Sequence, residues 1–268
     1  MLINYLVIII LSLAQGLSEF LPVSSSGHLI LLHEILPAVP INSLAFDVVL
    51  HLASALAVII FFRQDFKEIL VGCCQSLARG KKSEPARLAW LIIIATIPAA
   101  LFGYWLESII EEILRSGLIG ALALVAGVIL FLITERLAKQ HHDLTNLNWR
   151  QSLVIGCAQA VALIPGVSRS GITIIAGMLF KLNREAATRF SFLLSVPIIL
   201  GANIKEAPVL AAASTNELFS LGLGFFMSFV FSYFTIKYFI AFVRKYSLDI
   251  FAYYRFLLAA VILWLWLS

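Results

Sequence analysis

The 268-residue sequence has little charge and few cysteines. Only 13% of its residues are charged, whereas 61% are hydrophobic, and no polar stretch is long enough to form a soluble domain. This composition excludes a soluble globular protein and indicates an integral membrane protein. The three cysteines, Cys73, Cys74 and Cys157, form an odd set without metal-ligand spacing, so we expect no disulfide framework.

Two further features are missing. The first 18 residues lack the basic segment that begins a secretory signal, and a polar motif starts inside them, so we expect no cleaved leader. The net charge of +4 is no nucleic-acid signal, because the basic residues lie in short loops between apolar segments. The sequence therefore predicts membrane lipids as partners and no nucleic acid.

A polar stretch, residues 15–28, interrupts the first apolar segment and is called the first motif. It reads Gln-Gly-Leu-Ser-Glu-Phe-Leu-Pro-Val-Ser-Ser-Ser-Gly-His. Pro22 breaks the helix, and neither flank is comfortably long enough to cross ~30 Å of hydrocarbon. We predict a re-entrant helix–loop–helix unit, in which ionisable residues at membrane depth indicate a functional site. The alternative is a kinked helix whose serines bond their own backbone.

The second half of the chain repeats this motif. Val-Ser-Ser-Ser-Gly at 23–27 corresponds to Val-Ser-Arg-Ser-Gly at 167–171, so Arg169 takes the place of Ser25, and Gln15 corresponds to Gln159. Residues 151–180 predict a second re-entrant unit, and its loop is called the second motif. Interrupted helices in both halves predict an inverted repeat, approximately 1–134 and 135–268, within one membrane domain, with a site where the repeats meet.

The remaining apolar segments predict six transmembrane helices, at residues 44–62, 88–106, 116–134, 190–204, 218–236 and 250–267. With the two re-entrant units they give an all-α polytopic membrane fold. Residues 63–87 are interpreted as a polar connection, and residues 107–115 as an acidic loop.

Basic residues are concentrated on one side of this topology. If 63–87 is cytoplasmic, so are 135–150, 181–189 and 237–255, and these four regions hold all of the 19 lysines and arginines except Arg115, Lys205 and Arg169. The positive-inside rule then places both termini outside. The first motif enters from outside and the second from inside, and we expect the active site to open outward.

The two motifs resemble signatures of the bacterial undecaprenyl-pyrophosphate phosphatases, the bacitracin-resistance membrane enzymes. The first motif is similar to the family's (Glu/Gln)-x-x-x-Glu and Pro-x-Ser-Ser-Ser-Gly-His patterns. Residues 165–171 with Thr173 are similar to its Pro-Gly-x-Ser-Arg-Ser-Gly-x-Thr pattern. The resemblance covers essentially the whole chain. It implies hydrolysis of undecaprenyl diphosphate to undecaprenyl monophosphate and phosphate in the bacterial inner membrane, recycling the lipid carrier for cell-wall synthesis and conferring bacitracin resistance.

The residue types in the motifs suit this chemistry. Gln15 and Glu19 are four apart on one helix face and can hold a divalent cation, Mg²⁺ or Ca²⁺, although some family members have Glu in place of Gln15. Arg169 offers a planar fork to phosphate oxygens, and His28 is the natural proton carrier. The nucleophile is Ser25, a neighbouring serine or a metal-bound water. The predicted catalytic residues are Glu19, Ser25, His28 and Arg169.

The loops of both motifs can turn backbone N–H groups toward an anion. Predicted phosphate contacts are Ser24, Ser26, Gly27, Ser168, Ser170, Gly171 and Thr173, and the serines are equally interpretable as loop formers. Arg169 can instead pair with Glu19 only to stabilise the fold. His51, inside a span, is expected to be a buried, hydrogen-bonded histidine.

Another function class stays open at this point. A secondary transporter for an anionic or lipid-linked substrate uses inverted repeats and broken helices as well, and lipid translocation can accompany hydrolysis. A carrier has no need of Glu19, His28 and a serine cluster together. The oligomeric state, a homodimer included, and the preferred prenyl chain length are not predicted.

Overall fold

The computed structural model describes residues 2–36, 43–105, 117–205, 208, 210 and 214–267. Eleven α-helices lie in these residues: α1 Leu2–Ser18, α2 Ser25–Ile35, α3 Ser43–Phe61, α4 Arg63–Arg79, α5 Glu84–Trp105, α6 Gly117–Leu137, α7 Trp149–Val161, α8 Arg169–Leu179, α9 Arg184–Lys205, α10 Thr215–Val243 and α11 Asp249–Leu267. A 3₁₀ turn, Leu144–Asn146, precedes α7. The all-α prediction is confirmed, and the predicted acidic loop, 107–115, lies outside the described residues.

Several helices are suited to a membrane. By length and composition, α5, α6, α9 and α10 can each cross a bilayer. Helices α3 and α4 together are also long and apolar enough, but the chain bends by 83° between them. Shorter apolar helices, α1 and α8, flank the motif loops. The chain is therefore a multi-pass membrane protein.

The polar connection expected at residues 63–87 is wrong for residues 63–79, because this segment forms helix α4. Phe66, Ile69 and Cys73, at helical spacing, pack against the main core. Gly80 ends the helix in the left-handed conformation (φ 62°). The charged residues of α4 make this segment polar on average, which led to the expectation of a connection. Its apolar residues nevertheless recur at three- and four-residue spacing, the pattern of a helix with one apolar face.

Glycines allow two helix pairs to approach closely. Helix α1 packs on α10 at Gly16, where an added Cβ would lie 2.6 Å from Phe231 Cβ. Helix α7 packs on α5 at Gly156, where an added Cβ would lie 2.5 Å from the Ala95 carbonyl oxygen. Small residues at such crossings let helix backbones meet in a membrane. These two contacts hold α1 and α7, the helices that lead into the two motifs.

The two motifs meet against the main core. Phe20, next to Glu19, is fully buried and packs edge-to-face against Phe192 of α9 at a centroid distance of 5.1 Å. Helix α8 packs against α9, α7 and α6, while α6 packs along α11. Residues from both halves of the chain therefore surround the polar loops, as irregular backbone in a membrane protein requires.

Candidate active site

A serine caps the helix that follows each loop. Ser24 Oγ accepts a hydrogen bond from the Gly27 N–H at 3.3 Å and begins α2, and Ser168 Oγ accepts from the Gly171 N–H at 3.1 Å and begins α8. Both loops use the N-cap bond that serine favours. Ser24 has a φ of 72°, which is uncommon for a residue other than glycine. The surrounding packing holds that strained backbone in place, as is often found at functional sites.

Glu19 is the hub of the cluster. Its Oε1 accepts from Arg169 Nη2 at 2.6 Å, and its Oε2 accepts from Ser25 Oγ at 2.8 Å and from Gln15 Nε2 at 3.0 Å. The residue is only 7% exposed. A carboxylate this buried needs charge compensation and hydrogen bonds, and Arg169 supplies both. Ser25 and Arg169, which hold equivalent places in the two motifs, therefore meet on one carboxylate.

His51 also reaches this cluster, which the sequence reasoning missed. Its Nε2 lies 3.6 Å from Glu19 Oε2, and its Nδ1 is 2.7 Å from the Asp47 carbonyl oxygen. The expected hydrogen bond is confirmed, but the expected burial is wrong, because the side chain is 32% exposed. The available signal was the spacing of Asp47 and His51, which puts two polar residues on one face of α3.

His28 hydrogen-bonds to Ser24 and to a residue of α11. Its Nδ1 is 2.7 Å from the Ser24 carbonyl oxygen, and its Nε2 is 2.7 Å from the Tyr254 hydroxyl. The two rings are stacked, with centroids 5.6 Å apart and planes 2° from parallel. Nothing in the sequence near Tyr254 indicates this contact, since 226 residues separate the partners.

The side chains of the second motif form hydrogen bonds with each other, with the first motif and with α9. Ser168 and Ser170 hydroxyls lie 3.1 Å apart, and Ser170 Oγ donates to the Leu21 carbonyl, which joins the second loop to the first. Thr173 Oγ1 is 2.7 Å from Ser191 Oγ and also bonds the Arg169 carbonyl. Ser191 is a second residue of the site that the sequence reasoning missed.

The two loops are buried to a similar extent around their helix caps. In the first loop the Ser24 and Ser26 hydroxyls lie 3.3 Å apart, Ser24 and Gly27 are buried, and Ser25, Ser26 and His28 are partly buried. In the second loop Ser168, Ser170 and Gly171 are buried and Arg169 is partly buried, and Thr173 of the following helix is buried. Phosphate contacts at these residues stay predictions. Between the capping serine and the glycine of each loop, Ser25, Ser26 and Arg169 are partly buried and Ser170 is buried.

Glu19 and Gln15 are the residues of this cluster that could hold a cation, although Gln15 here turns its Nε2 donor to Glu19. Among the described residues no three His, Cys, Asp or Glu side chains cluster as a metal site. Gln15 is fully buried, and its Oε1 has no hydrogen-bond partner within that part of the chain. One carboxylate and one free amide oxygen match the way Mg²⁺ is held jointly by protein and substrate phosphates.

Comparison with known proteins agrees with this chemistry. Residues 8–261 match the family described as bacitracin resistance protein BacA. The chain is 46% identical to an undecaprenyl-diphosphatase of Caldicellulosiruptor bescii, and the match covers 95% of each chain. It is 45% identical to one of Rubrobacter xylanophilus, again over 95% of each. It is 42% identical to one of Alteromonas mediterranea, over 96% of this chain and 97% of the relative.

Proposed function

The chain belongs to the BacA bacitracin-resistance family, and from this premise we propose that it hydrolyses undecaprenyl diphosphate to undecaprenyl monophosphate and inorganic phosphate. The reaction recycles a lipid carrier for cell-wall synthesis and accounts for bacitracin resistance. One observation carries the proposal: Glu19 joins Ser25 of one interrupted helix to Arg169 of the other, inside a multi-pass membrane protein. A polar site enclosed by apolar helices suits a substrate whose prenyl tail stays in lipid.

Arg169 is proposed to bind the diphosphate. Its guanidinium offers paired N–H donors that match phosphate oxygens, and only one amino group, Nη2, is bonded to Glu19 at short distance. Its Nη1 has a long contact, 3.5 Å, with the Ser191 carbonyl. That weakly held nitrogen can turn to the phosphate that becomes the leaving group and stabilise its growing charge. The backbone N–H groups at the starts of α2 and α8 add further anion contacts.

Ser25 is the favoured nucleophile of the alternatives, because Glu19 already accepts its hydrogen bond at 2.8 Å. As Ser25 Oγ attacks phosphorus, its proton moves to Glu19 Oε2, the phosphoanhydride bond breaks and undecaprenyl monophosphate leaves. Water then releases phosphate from the serine. Direct attack by water, with Glu19 accepting its proton, is the second route. His28 supplies or accepts a proton elsewhere in the site.

A divalent cation, Mg²⁺ or Ca²⁺, is proposed to bind at Glu19 and Gln15 together with the substrate. When bound it would neutralise phosphate charge. Gln15 supports this proposal, because its buried Oε1 is without a partner in the described part of the chain. Mg²⁺ is the better match, since Ca²⁺ takes six to eight oxygen ligands and this site has few.

We also propose the full topology: six spans and two re-entrant units in an inverted repeat, with both termini and the site facing outward. The packing of α1 on α10 and of α7 on α5 supports it, because an inverted repeat would exchange these two contacts. The test uses single cysteines at Lys81 and Ser268 in a background without native cysteines. An impermeant thiol reagent on intact cells should label Ser268→Cys and spare Lys81→Cys. Labelling of both from outside would contradict the topology.

The activity test measures phosphate release from undecaprenyl diphosphate by the purified protein. Glu19→Gln, purified identically, shows how much phosphate a contaminating enzyme releases. We expect the wild-type rate to lie far above that background. We expect it to be lost in excess EDTA. A wild-type rate equal to the Glu19→Gln rate would overturn the hydrolase proposal and favour transport. Undiminished turnover in EDTA would overturn the cation proposal alone.

A further inference from the structure

The hydrogen bonds of His28 define where the ring carries its proton. The Ser24 carbonyl oxygen can only accept, so His28 Nδ1, 2.7 Å away, must be the N–H donor. In the neutral ring Nε2 is then the acceptor, and the Tyr254 hydroxyl, also 2.7 Å away, donates to it. The nitrogen that can gain a proton is therefore the one held by Tyr254.

Tyr254 holds the ring as well as the nitrogen. The parallel stack, with planes 2° apart and centroids separated by 5.6 Å, limits rotation of the imidazole. The tyrosine comes from α11, which packs along α6, whereas His28 lies in the first turn of α2. The stack is thus a bridge between the first motif and the last helix.

The two candidate proton carriers, Glu19 and His28, have different hydrogen-bond partners. Ser25 Oγ donates to Glu19 Oε2, which also faces His51, whereas both nitrogens of His28 are bonded to Ser24 and Tyr254. In phosphoryl transfer the attacking and leaving oxygens lie roughly in line, on opposite sides of phosphorus. One group can therefore serve the attacking oxygen and the other the leaving oxygen.

We propose that Tyr254 is a positioning residue for the reaction, acting through His28. Its hydroxyl donates to Nε2 and its ring stacks on the imidazole, which fixes the orientation of the ring and leaves Nε2 as the nitrogen that takes up a proton. This inference rests on the proposed hydrolase function. It adds a residue of the last helix, far from either motif, to the machinery of the first motif.

The main test is Tyr254→Phe, which keeps the ring and removes the hydroxyl. Loss of a group that orients an essential side chain costs roughly 10–100-fold, by analogy with the partners of metal-binding histidines. We expect kcat to fall by about that factor, with KM and melting temperature close to wild type. The matched control is Tyr253→Phe, because both tyrosines are exposed on the same helix, at 64% and 44%, and it is Tyr254 that bonds to and stacks on His28.

A double-mutant cycle with His28→Ala separates positioning from general damage. If Tyr254 acts through His28, adding Tyr254→Phe to His28→Ala lowers the residual rate no further. Multiplied losses, or a Tyr254→Phe enzyme with wild-type kcat, would overturn the inference. So would a rise in KM and a fall in melting temperature without a change in kcat. Wild-type protein without phosphatase activity would instead refute the proposed function.

Discussion

The two motif loops share a backbone device and differ in the side chain that they present. In each, the cap serine binds the N–H of a glycine three residues later and its hydroxyl lies within 3.3 Å of the hydroxyl two residues on. Between those two serines the first loop places Ser25 and the second places Arg169. One loop thus presents a candidate nucleophile and the other a fixed positive charge, and Glu19 contacts both.

The two loops also differ in their hydrogen bonds and backbone. Ser170 of the second loop bonds to Leu21 and Thr173 of the following helix bonds to Ser191, whereas the first loop contains Ser24 with its positive φ. Ser170 is buried, and Ser26 at the equivalent position is partly buried. Repetition of a motif therefore does not mean repetition of a role.

The largest effect is expected for the residue that joins the loops. Glu19→Gln removes the counter-charge of Arg169 and the acceptor for the Ser25 proton. We expect phosphate release to fall by about 10²–10⁴-fold, the range of general-base catalysis. Glu34→Gln is the matched control, because Glu34 is exposed on α2. Equal rates for the two variants would show that Glu19 is not the hub of the chemistry.

The second-largest effect is expected for Arg169, the charged residue of the second loop. Arg169→Ala should lower turnover on the order of 10²–10³-fold, as lost transition-state donors do. Arg169→Lys should retain part of the rate, because it keeps the charge without the planar fork. Arg169→Ser makes the five-residue loops identical, and we expect it to be as slow as Arg169→Ala.

Melting temperature decides between the two roles of Arg169. A purely structural partner of Glu19 would cost ~3–5 kcal/mol of stability when removed, since a buried carboxylate is left unpaired. We expect Arg169→Ala to stay folded in detergent and to be inactive. A folded Arg169→Ala with the wild-type rate would contradict the assignment of this site.

Serine substitutions should separate the chemical loop from the structural one. Ser25→Ala should lower kcat at least about tenfold with little change in melting temperature, because its hydroxyl faces Glu19. Ser168→Ala removes a helix cap and should cost ~1 kcal/mol of stability. Parallel measurement of kcat and melting temperature checks both. A loss of stability at Ser25→Ala and a loss of kcat at Ser168→Ala would contradict the roles assigned to the two loops.

The smallest effect is expected for the glutamine beside the hub. Gln15→Glu should retain activity when Mg²⁺ is present, because the related family accepts either residue. Without a cation it places two carboxylates within hydrogen-bond distance in a buried position, so the melting temperature should fall in EDTA and recover with Mg²⁺. Gln159→Glu is the control, since Leu163 replaces the second carboxylate there. Equal cation responses in both variants would argue against a site at Gln15.

The amino-acid sequence alone was sufficient for the features that depend on local pattern. Long apolar runs predict membrane helices, Pro22 and the serine runs predict interrupted ones, and the two motifs predict Glu19, Ser25 and Arg169 as residues of one site. The comparisons confirm the family that these residues indicate. These inferences succeed because helix length, helix breaking and capping are determined within a few neighbouring residues.

Only the tertiary structure assigned the residues that complete the site. His51 is one polar residue in a span until α3 packs beside the first motif, and Ser191 and Tyr254 become neighbours of the loops only through α9 and α11. Helix α4 was missed for a different reason, because charged residues separate its apolar residues in the sequence. Contacts between distant segments depend on how helices cross and rotate, and crossings such as those at Gly16 and Gly156 follow from packing rather than from local pattern.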